Sequence, residues 1–250
     1  MMALFCNNIA YYLLLFIEVN NMADKYIKGE RGIRTIDNLI KTAFEPVGKV
    51  MYIYGGGWNE ADTCGGIETM TLGLSPKWLD FSAKQSSSYN YKDYDYKKDI
   101  SVIHYGLDCS AYVGWVIYNV FNDGRNYVTN SYKMGQLLSS LDYGFVIDKN
   151  NIKEIKKGDI MFSNCNDCKH IYIALKSYSD GSVLLLHSSP PGVQLSGTYA
   201  PNGNKNSQAI DFATKYMKKY YPSWYNRFPH NGRDERYLSH YDCFRWSIIK

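Results

Sequence analysis

DCSAYVGWVIYNVF, residues 108–121, marks the point where a polar loop becomes a helix that is apolar on nearly every side. A helix that is apolar all round is buried, so Ser110–Phe121 is predicted to be a core helix. Asp108 can cap this helix, which places Cys109 in its first turn. The dipole and unpaired N–H groups of a first turn favour negative charge, so we expect a lowered pKa for the Cys109 thiol and donors for an oxyanion. The alternative is a small buried cysteine without chemistry.

Apolar patterns on both sides of this helix predict the rest of the fold. Helical spacing of apolar residues predicts helices within residues 31–44, 134–141 and 207–220, and short apolar runs predict strands. The predicted strands are, in chain order, Val50–Tyr54, Ile160–Phe162, Ile171–Leu175, Val183–His187 and Val193–Leu195. Because helices come first and a meander of strands follows, the order predicts an α+β fold rather than an alternating α/β one.

Two histidines stand at the ends of neighbouring predicted strands. His170 opens the strand Ile171–Leu175, and His187 closes the next strand along the chain. Antiparallel neighbours joined by a short turn would bring these two ends to the same side of the sheet. One imidazole could then take the thiol proton of Cys109 while the other fixes its tautomer. A purely structural role for either histidine is the alternative.

Composition narrows the class of partner. A length of 250 residues allows one well-buried core, and a net charge of +4 without a clustered basic face excludes a typical nucleic-acid binder. The chain holds 24 tyrosines, which suit a surface that binds sugars or peptides but also fit coding bias. The tyrosines within residues 89–96 accordingly predict either a glycan contact or a solvated loop. We expect a monomer.

The first residues allow three interpretations. The apolar run Ile9–Ile17 is too short to span a bilayer, so we expect no stable membrane insertion. Its length suits a signal peptide, yet no Lys or Arg precedes it and no small-residue cleavage site follows. Residues 1–22 are therefore an export signal, a buried first element, or a segment upstream of translation from Met22. The folded domain is expected to cover residues 23–250.

A C-x-x-C motif precedes His170. On paper Cys165, Cys168, His170 and Cys243 could hold zinc in a tetrahedral site. Such a site would turn the protein into a zinc-containing binding module, because a zinc-bound His170 cannot act as a base. A local disulfide and free thiols are the other two interpretations of the motif.

Five segments resemble, in their order, the motifs of the NlpC/P-sixty cysteine peptidases, which are bacterial cell-wall endopeptidases of papain-like α+β fold. These segments are YIYGGG (52–57), DCSAYV (108–113), KKGDIMF (156–162), KHIYIAL (169–175) and LLLHSSPPGVQL (184–195). The resemblance implies that Cys109 is the nucleophile, that His170 is its base and that His187 orients His170. It also implies substrate-binding roles for three further residues: Tyr52 near the oxyanion, and Asp108 and Ser110 at a pocket for the substrate amine.

The resemblance also implies a function. The expected reaction is hydrolysis of a peptidoglycan stem peptide or muropeptide, between D-glutamate and the diamino acid, without metal or organic cofactor. A secreted or cell-envelope location follows from the family, although the signal sequence is atypical. A thioester-forming acyltransferase or transpeptidase on the same fold is the alternative within the family, besides the zinc-containing binding module.

The chain departs from the family pattern in several places. The resemblance covers residues 46–57 and 108–196, so residues 58–107 and 197–242 are expected to be insertions that wall the cleft. Ala111 stands where the family usually has Gly. Tyr172, two residues after His170, stands where a small residue is usual, which predicts a narrower pocket or different packing.

Overall fold

The computed structural model describes residues 28–163, 165, 169–229 and 232–249 of the chain. The predicted signal region, residues 1–22, lies outside the described residues. No helix in the described part is long and apolar enough to cross a membrane. The α-helices there are α1 (Ile36–Phe44), α2 (Pro76–Ala83), α3 (Cys109–Phe121), α4 (Met134–Ser140), α5 (Gln208–Tyr220), α6 (Pro222–Arg227) and α7 (Arg236–Ser239). The strands are β1 (Gly144–Ile147), β2 (Ile160–Phe162), β3 (Ile171–Ser177), β4 (Val183–Ser189), β5 (Gly192–Gly197) and β6 (Asp242–Trp246).

The strands form one open antiparallel sheet with the order β1-β6-β2-β3-β4-β5. This arrangement confirms the predicted α+β class. The meander β2-β3-β4-β5 occurs where the apolar runs predicted it. β6, near the end of the chain, pairs with both β1 and β2 and so lies inside the sheet. The segment between β5 and β6 must therefore travel from one edge of the sheet back into it.

The helix predicted within residues 31–44 is shorter than its apolar stripe. It begins at Ile36 because the Thr35 side chain caps it, with Oγ1 accepting from the Asn38 backbone N–H at 3.2 Å. The strand predicted at Val50–Tyr54 is wrong. Met51 forms only an isolated bridge to Gly192, and Tyr52 forms one to Leu107.

The buried helix α3 packs against β3 and β4, and its position sets the main core. Asp108 is its N-cap, and Asn122 ends it in the left-handed conformation with φ of 46°. Tyr112 on this helix donates its hydroxyl hydrogen to the Ala43 carbonyl oxygen of α1 at 2.8 Å. The first turn of α3 therefore has a fixed position relative to the end of α1.

A second, smaller core covers the other face of the sheet. Ile171 and Ile173 of β3 belong to the main core, whereas Tyr172 between them belongs to the second one. The segment around α7 closes this second core through Tyr237 and Tyr241. The residues 197–242 that lack a family counterpart thus supply the cover for the face that carries Tyr172.

Candidate active site

Cys109 lies where the first turn of α3 meets the start of β3. The Asp108 carboxylate caps the helix by accepting from the Ala111 backbone N–H at 2.7 Å. Cys109 is a partly exposed residue, and its thiol is free. Backbone N–H groups of Ile171, Ser110 and Cys109 itself favour the thiolate form. Ile171 directly follows His170 in the chain.

The electrostatic surroundings of Cys109 correct one sequence-based expectation. Burial raises the pKa of the Cys109 thiol, and the Asp108 charge raises it further, whereas the three nearby N–H groups lower it. The expectation of a net lowering is therefore wrong. The first-turn N–H groups act in the expected direction, but the loss of solvation around the sulfur outweighs them. At rest the structure favours a neutral thiol.

The structure brings the two predicted histidines together. Nε2 of His170 lies 2.9 Å from Nδ1 of His187, and the ring planes are nearly perpendicular at 82°. His170 is 8% exposed and His187 is 0% exposed. Burial lowers the pKa of His170 to about 3, and the positive charge of Arg233 contributes in the same direction. The His170 imidazole is therefore neutral at pH 7.

One hydrogen bond ties the strand of His187 to the helix of Cys109. The hydroxyl of Ser188, directly after His187, donates to the carbonyl oxygen of Leu107 at 2.7 Å. Leu107 immediately precedes the cap residue Asp108, and Ser188 is fully buried. This bond fixes the distance between β4 and the start of α3.

Tyr52 is held by contacts with two neighbouring segments, residues 89–91 and Pro191. Its backbone N–H donates to the Pro191 carbonyl oxygen at 2.9 Å, and its carbonyl oxygen accepts from the hydroxyl of Tyr89. The ring of Tyr91 meets the Tyr52 ring edge-on at a centroid distance of 5.5 Å. Burial and then the nearby Cys109 charge raise the pKa of Tyr52, so its phenol stays protonated and able to donate. Tyr89 and Tyr91 thus pack against Tyr52 and do not lie in a fully solvated loop.

Asp108 and Ser110 are both buried and bind each other. Oδ1 of Asp108 accepts from the Ser110 hydroxyl at 2.9 Å, and Oδ2 accepts from the Trp58 indole N–H at 2.7 Å. Burial raises the pKa of Asp108 to about 6, although these hydrogen bonds oppose the shift. The two side chains hold the first turn of α3 in place. Their contact with a substrate amine stays a prediction.

The Trp58–Asp108 hydrogen bond should contribute measurably to stability. A double-mutant cycle of Trp58→Phe with Asp108→Ala should give a coupling energy of about 1.5–3 kcal/mol, because the bond joins an indole N–H to a buried carboxylate. Free energies of unfolding from urea titrations at pH 7 provide the four values.

Trp78→Phe is the matched control for this cycle. Trp78 is a buried tryptophan from the same insertion, and its indole nitrogen has no hydrogen-bond partner among the residues that the structure describes. Its cycle with Asp108→Ala should couple by less than about 0.5 kcal/mol. Equal coupling in both cycles would show that the Trp58 bond has no special role.

Tyr237 is a site residue that the sequence did not indicate. Its ring lies 5.4 Å from the His170 ring and 6.3 Å from the His187 ring, measured between centroids. It also stacks on Tyr172 at 5.8 Å, and the Tyr172 hydroxyl donates to the Tyr237 carbonyl oxygen at 2.8 Å. The bulk of Tyr172 therefore supports a cover over the histidine pair. No local motif signals this contact, because it joins β3 to an insertion.

The bonding state of the cysteines is inconsistent with the zinc interpretation. Cys165 is disulfide-bonded, and its partner lies outside the described residues. Cys168 also lies outside the described residues. Cys64, Cys109 and Cys243 are free. A disulfide sulfur is not a thiolate ligand, so the set of Cys165, Cys168, His170 and Cys243 is not assembled for zinc. Nowhere in the described ranges do three or more His, Cys, Asp or Glu side chains group as a metal site.

Comparison of the chain with protein-family models, with curated proteins and with solved structures gave no match. The resemblance to the NlpC/P-sixty peptidases therefore depends on the five quoted segments alone.

Proposed function

We propose that this chain is a cysteine hydrolase of papain-like fold that cleaves peptide bonds in peptidoglycan stem peptides. The observation that carries the proposal is the buried pair of imidazoles, joined at 2.9 Å, on a sheet whose strand β4 is hydrogen-bonded through Ser188 to the residue before the Cys109 helix. Cysteine nucleophiles need a base within reach and a third group that orients the base. We assign these roles to Cys109, His170 and His187.

The hydrogen bond between the histidines determines which nitrogen can act as the base. Nε2 of His170 is engaged with His187, so Nδ1 of His170 is the nitrogen that can take the thiol proton. Nε2 then carries hydrogen and donates it to Nδ1 of His187. When His170 becomes an imidazolium, this acceptor stabilises the charge that burial otherwise disfavours.

The reaction follows from these roles. His170 removes the Cys109 proton as the sulfur attacks the carbonyl carbon, and the electron pair of the C=O bond moves to oxygen. The Cys109 backbone N–H and the Tyr52 hydroxyl stabilise this oxyanion. His170 returns the proton to the leaving nitrogen as the C–N bond breaks, which leaves a thioester. Water, deprotonated by His170, then hydrolyses the thioester and restores the thiol.

Two features of packing support a papain-like arrangement despite the departures from the family. Gly57 has a φ of 84°, and a Cβ there would lie 2.8 Å from the Cβ of Ala111. The glycine thus makes room for the methyl group that Ala111 adds at the usual glycine position. Tyr172, the other departure, is fully buried under the segment of Tyr237.

A digest of purified muropeptides, followed by liquid chromatography and mass spectrometry, tests the function. The expected products are fragments cut between D-glutamate and the diamino acid, together with loss of cleavage after treatment of the enzyme with iodoacetamide. Transfer of the acyl group to an added amine, with little hydrolysis, would indicate a transferase. Cleavage that survives complete alkylation of Cys109 would contradict the proposal.

His187→Ala should lower turnover by about 10²-fold, because the acceptor that orients His170 and stabilises its cation is lost. His187→Asn should lose less than about tenfold, since its amide oxygen can accept from Nε2 of His170. Steady-state kinetics on a stem peptide measures both values. Because His187 is fully buried, circular dichroism must first show that each variant is folded. Wild-type turnover in a folded Ala variant would remove His187 from the mechanism.

A further inference from the structure

The first insertion contains a cavity that the proposed mechanism does not use. Its volume is about 490 Å³, which lies within the range of small-molecule sites. Among the described residues, those that line it are two tyrosines, three aspartates, two lysines and Val102, all within residues 92–105. The lining therefore combines aromatic rings with charges of both signs.

The two tyrosine rings of the lining, Tyr94 and Tyr105, share the neighbour Phe81. Tyr105 stacks on Phe81 at a centroid distance of 5.3 Å, and Tyr94 meets Phe81 edge-on at 4.9 Å. The Tyr94 hydroxyl also donates to Oε1 of Gln85 at 3.2 Å. Both tyrosines are half-buried, so each keeps ring surface that a ligand can contact. Rings that are already held in place lose little conformational entropy when a ligand binds to them.

Two carboxylates of the lining are oriented through one oxygen each. Oδ1 of Asp99 accepts from the backbone N–H and the hydroxyl of Ser101, at 3.0 and 2.7 Å. Oδ1 of Asp95 accepts from the Lys97 backbone N–H at 3.0 Å, while its Oδ2 lies 4.0 Å from Nζ of Lys98. Within the part of the chain that the structure describes, neither Oδ2 accepts a hydrogen bond. Both carboxylates can therefore accept hydrogen bonds from a ligand.

The mixture of groups in the cavity favours a neutral saccharide. Three carboxylates and two ammonium groups nearly cancel in charge, so neither a phosphate nor a divalent cation is favoured. A pyranose ring has an apolar C–H face that packs on tyrosine and a rim of hydroxyls that donate to carboxylates. An acetamido substituent adds an N–H for a carboxylate and a carbonyl oxygen for the Lys98 ammonium.

The cavity lies close to Cys109 along the chain. Tyr105 precedes Cys109 by four residues, so their Cα atoms are at most about 14 Å apart. Between them, the Leu107 N–H donates to the Met51 carbonyl oxygen at 3.1 Å, and Leu107 forms a parallel bridge with Tyr52. A ligand in the cavity could therefore belong to the same molecule that Cys109 attacks.

We propose that this cavity is a subsite for an N-acetylhexosamine of the glycan strand to which the stem peptide is attached. The inference rests on the proposed function and narrows its substrate to stem peptides that still carry their saccharide. Tyr94 and Tyr105 pack on the C–H face of the sugar ring. Asp95 and Asp99 accept from its hydroxyl and amide groups.

A titration with tri-N-acetylchitotriose, followed in ¹H–¹⁵N NMR spectra of the full chain, tests the inference. This probe carries no stem peptide, so its binding is measured apart from cleavage. The wild type should bind it with a Kd of about 1 mM or lower, and the shifted signals should centre on residues 92–105. Tyr94→Ala should raise the Kd by at least about fivefold, because a stacking surface is lost.

The double variant Asp95→Asn, Asp99→Asn should raise the Kd by about tenfold, because two charged acceptors become neutral. Asparagine caps a helical turn as well as aspartate does, so this variant should keep the local fold, which circular dichroism checks. Asp211→Asn is the matched control, since Asp211 is an exposed aspartate of α5 that pairs with Lys215. Its Kd should stay within about twofold of the wild type.

Three results would overturn the inference alone: no saturable binding by the wild type up to about 10 mM, shifts centred outside residues 92–105, or an unchanged Kd in the folded double variant. A wild type that binds the trisaccharide in the cavity but cleaves no stem peptide or muropeptide would contradict the proposed function and leave the saccharide site standing.

Discussion

Cys109→Ala should abolish turnover, with a loss of at least about 10⁴-fold, because no other group in the site can form the acyl-enzyme. Cys109 is the residue to which the proposed mechanism assigns the attack, and it lies in the first turn of α3. The measurement is the rate of stem-peptide cleavage. Mass spectrometry of the intact protein should detect a thioester in the wild type and none in the variant.

Cys64→Ala is the matched control for this loss. Cys64 is also free and partly exposed, but its sulfur accepts from Asn59 at 3.0 Å in the first insertion, away from the histidines. Its variant should keep turnover within about twofold, as expected of a substitution outside the site. Residual cleavage by Cys109→Ala at more than a hundredth of the wild-type rate would mean that another residue attacks the substrate.

His170→Ala should lower turnover by about 10³–10⁴-fold, since both the removal of the thiol proton and the protonation of the leaving nitrogen are lost. The effect should be larger than that of His187→Ala, because His187 acts only through His170. Kinetics on the same stem peptide measures the loss. Addition of free imidazole should restore part of the activity if the cavity left by the side chain admits it.

His240→Ala is the control for the base. His240 is exposed, and its Nδ1 bonds the adjacent Ser239 hydroxyl at 2.8 Å. Its variant should turn over at the wild-type rate. A folded His170→Ala protein that keeps more than a tenth of the activity would contradict the assignment of His170 as the base.

The sequence predicts those parts of the fold that depend on local patterns. The apolar helix at 109–121 and the meander of β2 to β5 follow from uninterrupted apolar runs. β1 and β6 are not predicted, because β1 has only four residues and β6 mixes polar with apolar residues. β6 becomes a strand through its two partners in the sheet, and no local signal reports such partners.

The residues of the candidate site likewise divide into those that a local pattern predicts and those that it does not. Cys109, His170 and His187 could be proposed because each stands at the end of a predicted element. Tyr237 could not, since an insertion of about 45 residues brings it to the site by long-range packing. The pKa of Cys109 was predicted with the wrong direction for a related reason. The helix start is local and visible in the sequence, whereas burial depends on the folded chain.

The directions of the two pKa shifts define how the pair should respond to pH. The pKa of Cys109 is raised and that of His170 is lowered to about 3, so the resting pair is a thiol and a neutral imidazole. Between these two pKa values, the small fraction present as thiolate and imidazolium does not change with pH. Acidification from pH 8 to 4 should therefore leave His170 unprotonated, and the part of the Cys109 reactivity that depends on proton transfer to His170 should stay nearly constant.

The most direct test of the central claim is the rate of iodoacetamide alkylation at Cys109 and at the free cysteines Cys64 and Cys243 from pH 4 to 9, read by mass spectrometry. Cys109 should react at a rate that varies by less than about threefold between pH 4 and 8, whereas N-acetylcysteine in the same tube should slow about tenfold per pH unit. His170→Ala should convert Cys109 to the behaviour of N-acetylcysteine. A Cys109 rate that falls tenfold per pH unit in the wild type, or that is unchanged by His170→Ala, would contradict the thiol–imidazole pair.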